Sequence, residues 1–269
     1  RTPEKVARRE GVWAAPFNPS GGAADLSGCD AAVSLAGATI SQRWTASTKK
    51  RIVDSRVQAT SAMVEGALRA GTVKVLVSAS ATGFYGARGD EVLDERSGPG
   101  GDFTAHVCSA WEDAARPAEQ AGLRLAIIRI GVALHTSGGA LQKMLPPFKL
   151  GLGGPLGHGR QWMSWVHRDD VVSLLLHALQ SPQASGVLNG TAPEPVTNAD
   201  FTRALGRALH RPAFLRAPAT ALRLALGEMS TLLLDGQRVV PRRTLETGFH
   251  FAYPTLDAAF AHLFARDSS

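Results

Sequence analysis

Apolar positions along the first two thirds of the chain recur with two alternating periods. Ala31-Ala-Val-Ser-Leu-Ala-Gly37, Val73 to Ala79 and Leu123-Arg-Leu-Ala-Ile-Ile-Arg-Ile130 are short apolar runs closed by glycine or small residues. Runs of this kind are how parallel strands buried on both faces read. Between them, Thr45 to Ala70 carries a helical stripe of Ile52, Val53, Val57, Ala59, Met63, Val64 and Ala67. Phe103 to Gln120 carries a second helical pattern, which Gly122 breaks. Strands separated by helices of this length predict βαβ units, and right-handed crossovers then put helices on both faces. The expected fold is α/β, with a doubly wound parallel sheet.

The texture changes near Gly131. Gly138-Gly139, Pro146-Pro147, Gly151, Gly153-Gly154-Pro155, Gly157 and Gly159 predict a loop-rich lid over about 134–165. Val166 to Leu179 resumes as a helix, Gly186 to Asn189 reads as a short strand, and Thr197 is placed to cap another helix. The chain divides into a sheet domain over 1–190 and a mostly helical lobe over 191–269.

With 269 residues, 44% hydrophobic and 19% charged, the chain can bury a sizeable core. No apolar run approaches the ~20 residues of a membrane helix, and no apolar signal region follows the first residues. Cys29 and Cys108 stand far apart, without ligand spacing, so free thiols in a cytoplasmic setting are expected and no metal site is. The net charge of +6 includes a late series of arginines, Arg203, Arg207, Arg211, Arg216 and Arg223. They lie at helical spacings without interleaved aromatics, so a solvated helix face outranks a nucleic-acid surface. The basic balance favours an anionic small ligand, and a homo-oligomer stays open.

Val73-Lys-Val-Leu-Val-Ser-Ala-Ser-Ala-Thr-Gly-Phe-Tyr-Gly86 is the most informative stretch. Ligands of open α/β sheets sit outside the carboxyl ends of the strands, which puts Ser78 to Tyr85 where chemistry would happen. A glycine-rich phosphate loop between a first strand and helix is not found before residue 30. Gly83-Phe-Tyr-Gly-Ala-Arg-Gly89 has the spacing, but acids from Asp90 to Glu95 follow it instead of a helix N-terminus. The simplest account is that the first strand, helix and second strand precede this chain, so that an open sheet edge lowers its stability.

Asp30-Ala-Ala-Val-Ser-Leu-Ala-Gly37, Ser78 to Gly86 and Arg129-Ile-Gly131 resemble an extended short-chain dehydrogenase/reductase, with a Rossmann-like sheet. More narrowly, Lys143 to Gly154, Gly159-Arg-Gln-Trp-Met-Ser-Trp-Val-His167 and Gly236 to Phe249 resemble the atypical NAD-dependent epimerase-like family, subfamily 39U. The resemblance covers residues 1–262. It implies an NADP(H) site in which Arg1 grips the adenosine 2′-phosphate, while Leu35 and Ala36 run along the adenosine and Gly37 belongs to the same cofactor-binding set. Arg56 would approach the phosphates, although a helix-surface arginine is the plainer reading. Ser78, Arg129 and Gly131 complete the implied cofactor set, with Gly131 passing close to the nicotinamide.

The superfamily's usual chemistry needs a Ser or Thr and a Tyr-x-x-x-Lys pair, the lysine tuning the phenol as a proton donor. Ser80 fits the hydroxyl position. The pair is absent: the residues four beyond Tyr85 and Tyr253 are Gly89 and Asp257, and the helix places Thr104 and Cys108 where Tyr and Lys would stand. Tyr85 is the least poor substitute donor, with packing as its ordinary role. Lys143, Arg160, Gln161, Trp162 and Trp165 read as substrate-side residues for a flat or sugar-like ligand, or equally as a hydrophobic cluster of the lid. The expected function is an NADP(H)-dependent oxidoreductase or epimerase acting on a hydroxyl or carbonyl compound. The alternative is a non-catalytic NADP(H) sensor, and an RNA-binding derivative ranks last.

Overall fold

The sheet forms where residues are apolar on both faces of a strand. The computed structural model describes residues 10–12 and 14–265, so Arg1 lies outside the described residues. β1 (Ala31–Ser34) leads through α1 (Ala46–Ala70) to β2 (Val75–Ala81), β3 (Val92–Leu93), α2 (Phe103–Gln120), β4 (Arg124–Ile130) and β5 (Val132–Leu134). Next come α3 (Gly139–Lys149), β6 (Trp162–Met163), β7 (Trp165–His167), α4 (Arg168–Gln180) and β8 (Gly186–Gly190). β9 (Val196–Thr197), α5 (Asn198–Ala208), α6 (Ala219–Leu226), α7 (Thr231–Leu234) and β10 (Arg238–Val239) follow. The last elements are α8 (Arg242–Glu246) and α9 (Leu256–Ala265).

β1, β2, β4 and β8 form one parallel sheet in the order β1-β2-β4-β8. Successive residues point to opposite faces. Leu76, Leu125 and Ile127 pack beneath Val64 and Ala67 of α1 and Ala115 of α2. Val77, Ala126 and Ile128 pack beneath Leu174 and Ala178 of α4 on the other face. Helices therefore cover both sides, which is the doubly wound α/β arrangement expected from the periodicity. No helix of the described residues is long and apolar enough to cross a membrane.

The segment expected to be a loop-rich lid contains α3 despite Pro146 and Pro147. Both prolines fall in its second half, and they leave intact the apolar spacing of Leu141, Leu145 and Phe148. These three side chains share a core with Trp165, Phe201, Leu205 and Phe260, so this part of the segment is packed structure. Trp165, expected to face substrate, is fully buried there and donates its indole N–H to the Glu194 carbonyl oxygen at 3.0 Å.

Gly131 sits where two sheets meet. Its N–H donates to the Gly190 carbonyl at 3.0 Å, and the next N–H, of Val132, donates to the Ser164 carbonyl at 2.8 Å. A Cβ on Gly131 would overlap the Ser164 carbonyl oxygen and press on Thr191 Cγ2. The need for glycine there is met by packing within the chain itself, without any appeal to a nicotinamide.

His167 ends β7 and caps α4, its Nδ1 accepting the Asp169 N–H at 3.0 Å. That fixes the neutral tautomer with the proton on Nε2, which lies 3.2 Å from His262 Nδ1 on α9. His167, Asp169 and His262 bring ligand-type atoms within 4.8 Å of one another. The lone pair on His167 Nδ1 is already taken by the cap. Burial pulls the His167 imidazolium down to about 4, with Asp169 opposing and His262, Arg168 and His135 adding to the fall.

Two outcomes are expected. Gly131→Ala lowers unfolding free energy by roughly 1–3 kcal/mol, read as a lower urea midpoint; an unchanged midpoint would remove the close approach. The second concerns pH. The folded pKa of His167 lies below the unfolded value of about 6.5, so its contribution is complete above that pH and is lost as pH falls toward about 4. His167→Asn keeps a capping oxygen and removes the titration. Urea midpoints of the wild type should fall more steeply than those of the variant across that window, and parallel curves would refute the assignment.

Candidate functional site

Beyond the carboxyl end of β1 the chain leaves the sheet while still presenting apolar surface. Leu35 is 56% exposed, and Ala36 and Gly37 are exposed beside it. An exposed leucine continuing a buried strand is a ledge for a flat apolar partner. Arg56 of α1 reaches the same place: its Nη1 donates to the Ala38 and Ile52 carbonyls, each at 3.0 Å. A Cβ on Gly37 would come within 3.1 Å of the Arg56 guanidinium carbon. Burial lowers the pKa of Arg56, with Cys108 acting against that shift. Leu35, Ala36, Gly37 and Arg56 are thus brought together.

Ser78 and Arg129 are not brought to that ledge. β2 runs on to Ala81, so Ser78 is a mid-strand residue, paired with Ser34 on one side and Ile127 on the other and fully buried. Arg129 lies inside a buried polar network. Its Nε and Nη2 donate to Glu112 Oε1 and Oε2, each at 2.8 Å, and its Nη1 donates to Tyr85 Oη at 3.0 Å. Burial alone would lower the Arg129 pKa, but the hydrogen bonds and charge of Glu112, with Tyr85, raise it above the ordinary value. The guanidinium carbon stands 3.4 Å from the Phe84 ring centroid.

The same network takes up both expected catalytic groups. Ser80 Oγ donates to Glu112 Oε1 at 2.7 Å and is almost fully buried. Tyr85 Oη donates to Asn189 Oδ1 at 2.8 Å while accepting from Arg129, and the ring has no exposed surface. Burial pushes the phenol up to about 12, against the pull of Arg129 and Asn189. Ser80, expected to polarise a substrate oxygen, and Tyr85, expected to face the nicotinamide, both satisfy a buried ion pair in this structure.

The residues expected on the substrate side divide. Lys143, exposed on α3, donates from Nζ to Ser41 Oγ at 2.6 Å and so bridges to the loop that follows the ledge. Gln161 and Trp162 line a separate cavity of about 530 Å³ together with Asp90, His158 and Arg160. Trp162 Nε1 donates to Asp90 Oδ1 at 2.7 Å, and the Arg238 guanidinium lies 4.5 Å from the indole centroid. Gln161 Nε2 donates to the Leu156 and Leu233 carbonyls, at 3.1 and 2.8 Å, leaving its buried Oε1 without a partner among the described residues.

A family profile described as the NAD dependent epimerase/dehydratase family matches residues 22–189. The chain belongs to that family. A second profile, a domain of unknown function, matches residues 217–263. Human epimerase family protein SDR39U1 is 39% identical over 251 residues, covering 90% of this chain and 85% of that protein. Epimerase family protein MT2273 of Mycobacterium tuberculosis is 43% identical over 255 residues, covering 93% and 84%. The chloroplastic SDR39U1 homolog of Arabidopsis thaliana is 46% identical over 231 residues, and the chain spans 66% of its length. A crystal structure of human SDR39U1 (isoform 2) with NADPH superposes with a TM-score of 0.85 at 38% identity, covering 90% of this chain and 83% of that one.

In this epimerase-family chain the helix that would carry Tyr-x-x-x-Lys is α2. Thr104 Oγ1 donates to Asp102 Oδ1 at 2.7 Å and is 3.2 Å from the Gly83 carbonyl. Burial, with Glu112 beside it, pushes the Cys108 thiol up to about 12, so neither position offers a mobile proton at neutral pH. His106, on the same helix, is exposed. Sequence reasoning missed Glu112 and Asn189, the partners that hold Ser80, Arg129 and Tyr85. The available signal was a single charge, Arg129, set inside the apolar run of a buried strand.

Glu112→Gln should lower unfolding free energy by roughly 3–5 kcal/mol, since it leaves Arg129 buried and unpaired. The double variant Glu112→Leu with Arg129→Met should recover part of that loss. Urea denaturation of the single and double variants measures both; equal, small losses in every variant would show the pair to be solvated.

Proposed function

We propose that this chain is an NADP(H)-binding member of the epimerase family whose second ligand is a small hydroxyl or carbonyl compound. The observation that carries the reading is the exposed ledge of Leu35, Ala36 and Gly37 with the Arg56 guanidinium against it, at the carboxyl end of a parallel strand. Dinucleotides lie across such strand ends. The residues fit the adenosine side of the cofactor: Leu35 and Ala36 supply apolar contact, and the donors of Arg56 not taken by Ala38 and Ile52 remain for a phosphate. When bound, the nicotinamide would supply hydride chemistry. A human relative crystallised with NADPH, 38% identical, supports the choice of cofactor. Lys143, Gln161 and Trp162 stand as the substrate-side residues, and a reducing aqueous compartment such as the cytoplasm suits two free thiols.

A second reading, a non-catalytic NADP(H) sensor, is favoured by one specific feature. The hydroxyls of Ser80, Tyr85 and Thr104 all have their hydrogen bonds satisfied within the protein, so a proton donor for turnover has to come from elsewhere.

Fluorescence titration of NADPH tests the cofactor assignment, and Arg56→Ala should weaken binding by about tenfold. Absence of binding, or binding indifferent to Arg56, would overturn it. NADPH oxidation against a panel of sugars and ketones then separates the two readings. Turnover that Tyr85→Phe leaves intact identifies an enzyme using another donor; binding without turnover identifies the sensor.

A further inference from the structure

The C-terminal half carries a surface that the proposed cofactor site does not use. α5 ends in a turn in which His210 adopts a left-handed conformation, φ 51°, alone among the described non-glycine residues. The Arg211 N–H reaches back to the Gly206 carbonyl at 2.9 Å and the His210 N–H to the Arg207 carbonyl at 3.0 Å. These are the paired bonds of a Schellman helix end. Gly206 has no Cβ, and one placed there would press on Ala213 Cβ and the Arg211 carbonyl. The chain after the turn therefore lies directly on the helix. A shallow cleft of about 670 Å³ results, with Arg203, Arg207, His210 and Arg211 on its walls and Phe214 at its edge.

Exposed apolar side chains lie at the edge of this cleft and on the loop beside it. Phe214 is 73% exposed, Leu150 74% and Leu152 57%. The Leu215 N–H donates to the Gly153 carbonyl at 3.1 Å, and Gly151 abuts Pro212, which holds the two loops side by side. Large exposed apolar side chains on adjoining loops beside a cleft mark an interaction site more often than scattered ones do.

We propose that this cleft docks an acidic amphipathic segment of another protein, placing carboxylates on the arginines and apolar side chains on Phe214, Leu150 and Leu152. Charge decides the class of partner. Arg203 pairs with Asp200, and Arg207 with Asp257 at 3.2 Å, while Arg211 makes no ion pair among the described residues. Two internal carboxylates blunt the field that a phosphate backbone requires, because nucleic-acid affinity rests on many unneutralised contacts along a track. A peptide bringing a few carboxylates and several apolar side chains needs only Arg211, a share of the other two, and the adjoining apolar side chains.

The test uses the full chain and a labelled synthetic peptide in which Glu and Asp alternate with Leu and Phe, followed by fluorescence anisotropy. A matched peptide with Lys at every acidic position is the control. The acidic peptide is expected to bind, the lysine peptide not to, and Phe214→Ala and Arg211→Glu each to weaken binding by about tenfold or more. Both positions are exposed, so the variants should fold, and circular dichroism checks that they do. Arg116→Glu, on a distant helix, should leave binding unchanged. No binding up to about 1 mM peptide overturns the proposal, as does binding that ignores both substitutions or is matched by the lysine peptide. Capture of a single-stranded oligonucleotide at the same salt, lost in Arg211→Glu, would reassign the cleft to nucleic acid. Self-association abolished by Phe214→Asp would reassign it to a second copy of the chain.

Discussion

The buried ion pair between Glu112 of α2 and Arg129 of β4 is the constraint on which the site region depends. Burying two charges costs several kcal/mol per ion, and the pair is tolerable only when every remaining donor and acceptor is satisfied. Here the guanidinium grips both carboxylate oxygens, rests on the Phe84 ring and gives a third hydrogen bond to Tyr85, while Ser80 donates to Glu112. Tyr85 passes the chain of bonds to Asn189 of β8. The Asn189 N–H donates to Glu95 Oε1 at 3.0 Å, and Glu95 also accepts from Thr244 and Arg243 at the start of α8. One network therefore fixes the end of β2, the flanking helix, two further strands and a helix of the C-terminal segment.

That network also determines what the strand ends can do. Side chains at the end of β2 and on its following turn are directed inward, where they satisfy Glu112 and Arg129. What remains open to a ligand lies one strand away, on the ledge after β1, and across the chain at the cavity beside Trp162. The ledge is apolar with a cation behind it, which suits a nucleotide. The cavity mixes carboxylate, amide, guanidinium and indole, which suits a hydroxylated partner.

Elements whose side-chain period is long and regular were legible from the sequence. The helix expected over 103–120 is α2 with the same limits, and the helix expected over 45–70 differs only in that Thr45 is its cap. α3 was hidden because prolines and glycines dominate composition there, although Leu141, Leu145 and Phe148 keep a helical spacing. The two tryptophans misled for a different reason. Trp162 and Trp165 lie three apart in extended chain, and a period of two sends such residues to opposite faces. One therefore meets Asp90 at the surface cavity and the other enters the core. Ser80, Tyr85 and Arg129 could be located from the sequence but not oriented, because their directions depend on Glu112 and Asn189, 32 residues from Ser80 and 104 from Tyr85.

The missing Tyr-Lys pair and the buried network belong together sterically. Thr104 and Cys108 occupy one face of α2 opposite Gly83, where an added Cβ would lie 3.1 Å from Thr104 Cβ and 3.7 Å from Cys108 Sγ. Small side chains at these two positions let the helix close against the turn after β2, and the Thr104 hydroxyl can then reach the Gly83 carbonyl. The same approach carries Glu112, two turns further along α2, onto Ser80 and Arg129. A phenol and an ammonium group at 104 and 108 would need space that the turn now fills. The burial of Ser80 and Tyr85 and the small side chains at 104 and 108 therefore meet at one place, the contact between Gly83 and α2.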